Sequence, residues 1–148
     1  MKIYLGADHN GFEMKAKLAG YLRHLGYEIE DEGDTKLNPE DDFPQFAARV
    51  VSALKRDNDP AERGILICGS GQGMCMTANR YKGIRASLCW DTTEARASRN
   101  DDDSNVLCLP ARYIRQDDAE SIAKTFLETA FAGAARYKRR IKEMDELT

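Results

Sequence analysis

With 148 residues, 42% of them hydrophobic and 32% charged, the chain has the size and balance of one globular domain that buries a core without disulfides or structural metal. A formal net charge of −3 argues against an electrostatic grip on DNA or RNA, and no apolar run approaches the ~20 residues that span a bilayer. The N-terminal MKIYLGADHNG turns polar too early for a signal peptide, so a cytoplasmic protein with no membrane or nucleic-acid partner is expected.

In chain order, Ile3–Ala7 reads as a short buried strand. Phe12–Leu25 carries Met14, Leu18, Tyr21, Leu22 and Leu25 at helical spacing and stops at Gly26. Tyr27–Glu30 alternates like a strand near a sheet edge, and the Asp-, Asn- and Pro-rich stretch from Asp31 to Pro44 reads as a loop. Phe46–Leu54 predicts a second helix and Ile65–Cys68 a third strand, which runs into a glycine loop and a helix from about Gly73 to Tyr81. Ile84–Cys89 and Val106–Leu109 predict two further strands, and Thr92–Arg99 a helix between them. Asp117–Phe131 predicts a long helix, followed by a basic one from Ala134 to about Met144. Strands alternating with helices, the central ones continuously apolar, predict an α/β domain covering residues 1–148. Its expected form is three layers, a doubly wound parallel five-stranded sheet with an extra C-terminal helix.

Sheets of that kind hold ligands at the carboxyl ends of their strands. Four polar or reactive stretches fall there: Asp8–Gly11, Cys68–Gly73, Asn100–Asn105 and Pro110–Arg112. The loop with Gly69, Gly71 and Gly73 has Met74 where a dinucleotide fingerprint needs its last glycine, and it lacks the lysine of a P-loop. It still offers unpaired N–H groups at a helix start, a cradle for an anion or oxyanion, against the alternative of a tight structural turn. A helix start also favours the thiolate of Cys68, which otherwise would be a packed, inert thiol. Position 74 lacks the arginine that a cysteine phosphatase would need.

Cys75, Cys89 and Cys108 read as core residues, and no C-x-x-C pair exists. With two histidines and three consecutive carboxylates (Asp101, Asp102, Asp103) that cannot all face one ion, no metal is expected. His24 reads as surface. His9 is a loop residue or a functional one. Arg112 is a phosphate candidate at the ligand edge, and Arg136 and Arg140 share a helix face at i and i+4.

Together these residues resemble the type B ribose-5-phosphate isomerases and the related galactose-6-phosphate isomerase subunits. The resemblance is carried by Gly6–Gly11, Gly64–Gly73, Ala78–Ala86, Ser98–Arg99, Ser104–Leu107 and the Arg136/Arg140 pair. It implies a Rossmann-like or flavodoxin-like fold, and cofactor-free aldose–ketose isomerisation of a phosphorylated sugar through a cis-enediolate. It also implies a homodimer or dimer of dimers, with active sites between subunits and the C-terminal helix reaching the partner. On the resemblance Cys68 moves the proton between C1 and C2, and the Gly69–Gly73 loop stabilises the enediolate. Asp8 and His9 contact substrate; Arg112, Arg136 and Arg140 help bind it. Ser70 is a candidate shuttle between O1 and O2.

One departure stands out. The family usually has histidine and asparagine where this chain has Asp101 and Asp102, and that histidine is thought to open the sugar ring. Either Asp101 replaces it with a pKa raised by crowding, or His9 takes over, or the substrate has no ring, as in a tetrose 4-phosphate. Allose 6-phosphate and galactose 6-phosphate are further candidate substrates. The Gly133–Arg136 stretch also departs, where Gly-Gly-Arg-His is common. The rivals are a non-catalytic phosphosugar-binding module, a receiver domain and a flavin carrier. A receiver domain would need an aspartate in place of Cys68, and a flavin carrier would need its phosphate loop where Asp8–Gly11 stands.

Overall fold

The computed structural model describes residues 1–148. Its elements are β1 (Lys2–Ala7), α1 (Phe12–His24), β2 (Glu28–Asp31), α2 (Phe43–Asp57), β3 (Arg63–Cys68) and α3 (Gln72–Ala78), then β4 (Ala86–Leu88), α4 (Thr92–Asp102), β5 (Val106–Pro110), α5 (Gln116–Glu128) and α6 (Ala135–Asp145). The five strands form one all-parallel sheet in the order β2-β1-β3-β5-β4. The expected doubly wound α/β architecture is what the chain adopts. β1, β3 and β5 occupy the middle because they are apolar on both faces: Ile65, Leu66 and Ile67 are fully buried, as are Val106, Leu107 and Leu109. Each such side chain contributes about 1.5–3 kcal/mol on leaving water. β4 is short and only half-buried, so it takes an edge.

Two cores flank the sheet. One joins α1, α4 and α5 to the sheet through Leu18, Leu22, Ala95, Ile122 and Phe126. The other joins α2 and α3 through Phe46, Val50, Met74 and Ala78. α6 buries none of its residues. The path leaves β1 towards β2 on one side and β3 lies on the other, so the strand order reverses at β1/β3 and opens a crevice at their carboxyl ends.

Several boundaries differ from the sequence reading. α2 starts at Phe43, because Pro44 sits in its first turn, where a fixed φ and a missing donor cost nothing. α3 ends at Ala78 instead of Tyr81. The Asn79 side chain then pairs with both backbone groups of Ala86, at 2.7 and 2.9 Å, and β4 is shortened to match. α4 runs on to Asp102 and is closed by Asp103 in the left-handed region at φ 47°. α5 stops at Glu128, where Thr129 turns extended and its hydroxyl donates to the Thr125 carbonyl. Lys15, on a helix otherwise buried through apolar residues, is itself buried; its ammonium donates to Asp31 (2.9 Å) and to the Asp34 carbonyl (3.1 Å), which secures the loop after β2.

Candidate active site

At the end of β3 the chain turns sharply. Gly71 holds φ 74°, a left-handed value that glycine adopts without strain, and a methyl group there would meet Leu88 at 2.5 Å. The turn brings the Gly71 amide back to donate to Cys68 Sγ at 3.2 Å, a polarity that suits an anionic sulfur. Cys68 is 5% exposed, so the thiol lies on the floor of the crevice. Gly69 lies beneath the Arg112 guanidinium, which a side chain there would push aside, and Gly73 lies against the Phe43 ring, where a Cβ would collide. The amides of Gly69, Ser70 and Gly73 find no acceptor within the chain, while Ser70 Oγ accepts the Gln72 amide at 3.3 Å. A buried thiol, three uncommitted N–H groups and a hydroxyl therefore share one turn.

The neighbouring loops converge on it. Asp8 follows β1, is buried and accepts the Asn10 and Gly11 amides, at 3.0 and 3.3 Å. Burial pushes its carboxyl above the ordinary value, and the two amides pull against that shift. His9 donates its backbone N–H to Asp41 Oδ1 (2.9 Å) and shares Nδ1 with the same oxygen (2.8 Å). That hydrogen bond raises the imidazole pKa above its usual value. Asp8, His9 and Asp41 bring their polar side-chain atoms within 4.8 Å of one another. Arg112 follows β5, its amide donates to the Gly69 carbonyl at 2.9 Å, and its guanidinium forms no ion pair within 4 Å.

The remaining candidates lie elsewhere. α4 starts near the carboxyl edge and runs back across the sheet, so Asp101 and Asp102 emerge at the amino ends of the strands. There the Asp102 carbonyl accepts from Arg85, which precedes β4. Four residue steps separate the Gly64–Val106 pair from the Cys68–Pro110 pair, and at about 3.3 Å each they put the two edges roughly 13 Å apart. Asp102 carries the raised carboxyl of the acidic run, first through partial desolvation by its neighbours and then through the Asp101 charge, with Arg140 opposing. Arg136 and Arg140 stand exposed on α6, Arg136 stacked over the Tyr137 ring at 4.5 Å. Of the other thiols, Cys89 and Cys108 are buried, and burial pushes Cys89 up to about 12. Cys75 is only half-buried, and its contact with the Cys108 thiol draws it down to about 7.

Asp41 was invisible to sequence reasoning. It sits in a loop crowded with acidic and amide residues, 32 positions from His9, and nothing local distinguishes it from Asp42.

A family profile described as Ribose/Galactose Isomerase matches residues 3–144. The chain is similar to a ribose 5-phosphate isomerase from Thermotoga maritima, with 42% identity, a TM-score of 0.92 and 98% of this chain and 97% of that one covered. It is similar to a ribose-5-phosphate isomerase B from Mycoplasma genitalium, solved with ribulose-5-phosphate bound, at 34% identity and TM-score 0.94, covering 99% and 95%. A 4-deoxy-4-sulfo-D-erythrose isomerase from Clostridium sp. is 38% identical over 131 residues, 88% of this chain and 81% of the relative.

Proposed function

This chain belongs to the ribose/galactose isomerase family, and on that premise we propose that it interconverts ribose 5-phosphate and ribulose 5-phosphate. The observation that carries the reading is the buried Cys68 thiol at the end of β3, set beside the uncommitted amides of Gly69, Ser70 and Gly73. As a thiolate, Cys68 takes the proton from C2 of the open-chain aldose and returns it to C1 of the enediolate. Charge that develops on the substrate oxygens meets preorganised N–H donors, and the Ser70 hydroxyl lies where it can move a proton between O1 and O2. Asp8 and His9 contact the sugar. Arg112 offers a planar fork to the phosphate, and holding that remote dianion helps fix the reacting carbons.

The site works, on this reading, between two copies. Within one chain Asp101 and Asp102 stand at the far edge of the sheet from Cys68, with the Arg140 charge acting on Asp102, and a homodimer, or a dimer of dimers, would bring them and Arg136 from the second copy to complete the phosphate and sugar contacts. Residues 1–148 act as one isomerase domain that needs no cofactor. No helix is long and apolar enough to cross a membrane, and we place the enzyme in the cytoplasm, where its four free thiols stay reduced.

A second reading has its own support. Asp101 stands where a ring-opening histidine is expected, and the Clostridium relative is named for a four-carbon sugar whose C4 carries sulfur instead of a hydroxyl, so no five-membered ring can close. Catalytic efficiencies on ribose 5-phosphate, erythrose 4-phosphate and allose 6-phosphate, with Cys68→Ala as control, separate the two. Efficient ribose 5-phosphate turnover supports the first reading; efficiency confined to the tetrose replaces it with the second.

A further inference from the structure

The reaction, if its substrate is ribose 5-phosphate as proposed above, has a demand that Cys68 cannot meet. In the furanose, C1 is bonded to O4, and no carbonyl exists to acidify the C2 proton until that bond breaks. Breaking it needs a proton donor for O4 that is acidic near neutrality. Of the two histidines, His24 ends α1 on the exposed surface. Asp8 accepts two amides on one oxygen, contacts that favour its ionised form, and Asp101, even when the second copy brings it to the site, is a carboxyl, a class ordinarily ionised near neutrality. His9 is the one imidazole beside the crevice.

We propose that His9 opens the sugar ring and that Asp41 is the positioning residue that makes it an acid. A single carboxylate oxygen holds both the backbone N–H and Nδ1 of His9, so the imidazole cannot rotate and its proton at Nδ1 is fixed. Nε2 has no partner in the chain. The loop that carries Asp41 is itself anchored: Lys15, 2% exposed, draws in Asp31 and the Asp34 carbonyl, and Asp31 also accepts the Gly33 amide at 2.8 Å. Asp41 is 7% exposed at its side chain and makes no other ion pair. The Asp8 and Asp41 charges favour the imidazolium, while partial desolvation and Arg112 disfavour it.

The step balances as follows. The imidazolium gives its Nε2 proton to O4, the C1–O4 pair passes to O4, and C1=O1 forms as the O1 hydroxyl loses its proton to water. Water then restores the imidazole proton, so none is consumed. Cys68 acts on the aldehyde so produced.

The test compares two measurements on the full chain: conversion of ribose 5-phosphate, and deuterium wash-in at C1 of ribulose 5-phosphate in heavy water. Ribulose 5-phosphate has its O5 esterified and cannot form a furanose, so wash-in reports enolisation without ring opening. Asp41→Asn and His9→Gln are expected to slow ribose 5-phosphate conversion roughly tenfold or more, as loss of a positioned general acid does. Wash-in should fall far less, and Asp41→Glu should restore part of the loss. In Asp41→Asn the alkaline limb of the ribose 5-phosphate profile should also move to lower pH. Equal losses in conversion and wash-in overturn the proposal and make His9 a binding or structural residue. A wild-type chain that turns over erythrose 4-phosphate but not ribose 5-phosphate removes the ring itself, overturning the substrate reading and this proposal together. Normal conversion by both variants overturns this proposal alone.

Discussion

The carboxyl edge of the sheet and its amino edge are built on different physical terms. At the first, Cys68, Asp8 and Asp41 are held with side chains almost out of solvent, each tied to a backbone amide, and the glycines are where closely packed neighbours leave no room for a Cβ. At the second, Asp102, Arg136 and Arg140 stand exposed, and α6 buries nothing. The first edge is preorganised by its own chain; the second presents charge that this chain leaves unmatched. Buried, hydrogen-bonded groups can do chemistry because their geometry is fixed before the substrate arrives. Exposed arginines become specific when something else orders them, and the proposed partner copy would do that.

The largest effect should come from the first edge. Cys68→Ala should lower isomerisation by about 10²–10⁴-fold with little change in folding, measured as kcat alongside thermal unfolding. Loss below tenfold would mean that the preorganised edge is not where the proton moves.

The second edge is tested by mixing. Arg136→Ala/Arg140→Ala should be nearly inactive alone. Refolded with an equal amount of Cys68→Ala, it should regain activity in mixed dimers at about a quarter of the wild-type sites, since half the dimers are mixed and each holds one intact site. No recovery would place those arginines outside the neighbour's site. Arg112→Ala should raise KM for ribose 5-phosphate about tenfold or more with a smaller change in kcat, since a charge-assisted fork is lost from ground and transition state alike.

Gly71→Ala probes preorganisation itself. Its left-handed φ and the Leu88 contact predict a loss of roughly 1–3 kcal/mol in denaturant unfolding, with activity falling as the Cys68 hydrogen bond is displaced. Unfolding at unchanged stability would show that the turn can relax.

The smallest expected effect is electrostatic. The folded pKa of His9 is raised by Asp41, so the pair's stabilisation is complete below the imidazole's ordinary value of about 6.5 and is lost as pH rises through the folded value. The stability difference between wild type and Asp41→Asn should therefore narrow on going from pH 5 to pH 9. A constant difference would mean that Asp41 acts only through the His9 backbone amide.

Cys68 and its glycine loop were legible in the sequence, because an apolar run ending in closely spaced glycines is a local pattern with few foldable outcomes. The residue types at 101, 102, 136 and 140 were equally plain, but the edge they occupy was not. Asp101 read as part of a stretch at the ligand edge, but α4 leaves the carboxyl end of β4 and runs antiparallel to the strands, so the stretch between it and β5 lies at the amino edge. Lys15 shows the same limit from the other direction. Its position on α1 was evident, yet only the packing of the loop after β2 reveals that it is buried and why.

Periodicity and turn chemistry act over a few residues, and they determined by themselves the alternation of strands and helices, the apolar central strands and the reactive turn after β3. Tertiary structure alone decided that β5 enters between β3 and β4, that Asp41 clasps His9 and that the acidic run of α4 points away from Cys68. Those outcomes depend on which distant surfaces bury each other, a free energy summed over the whole chain that no short window of residues contains.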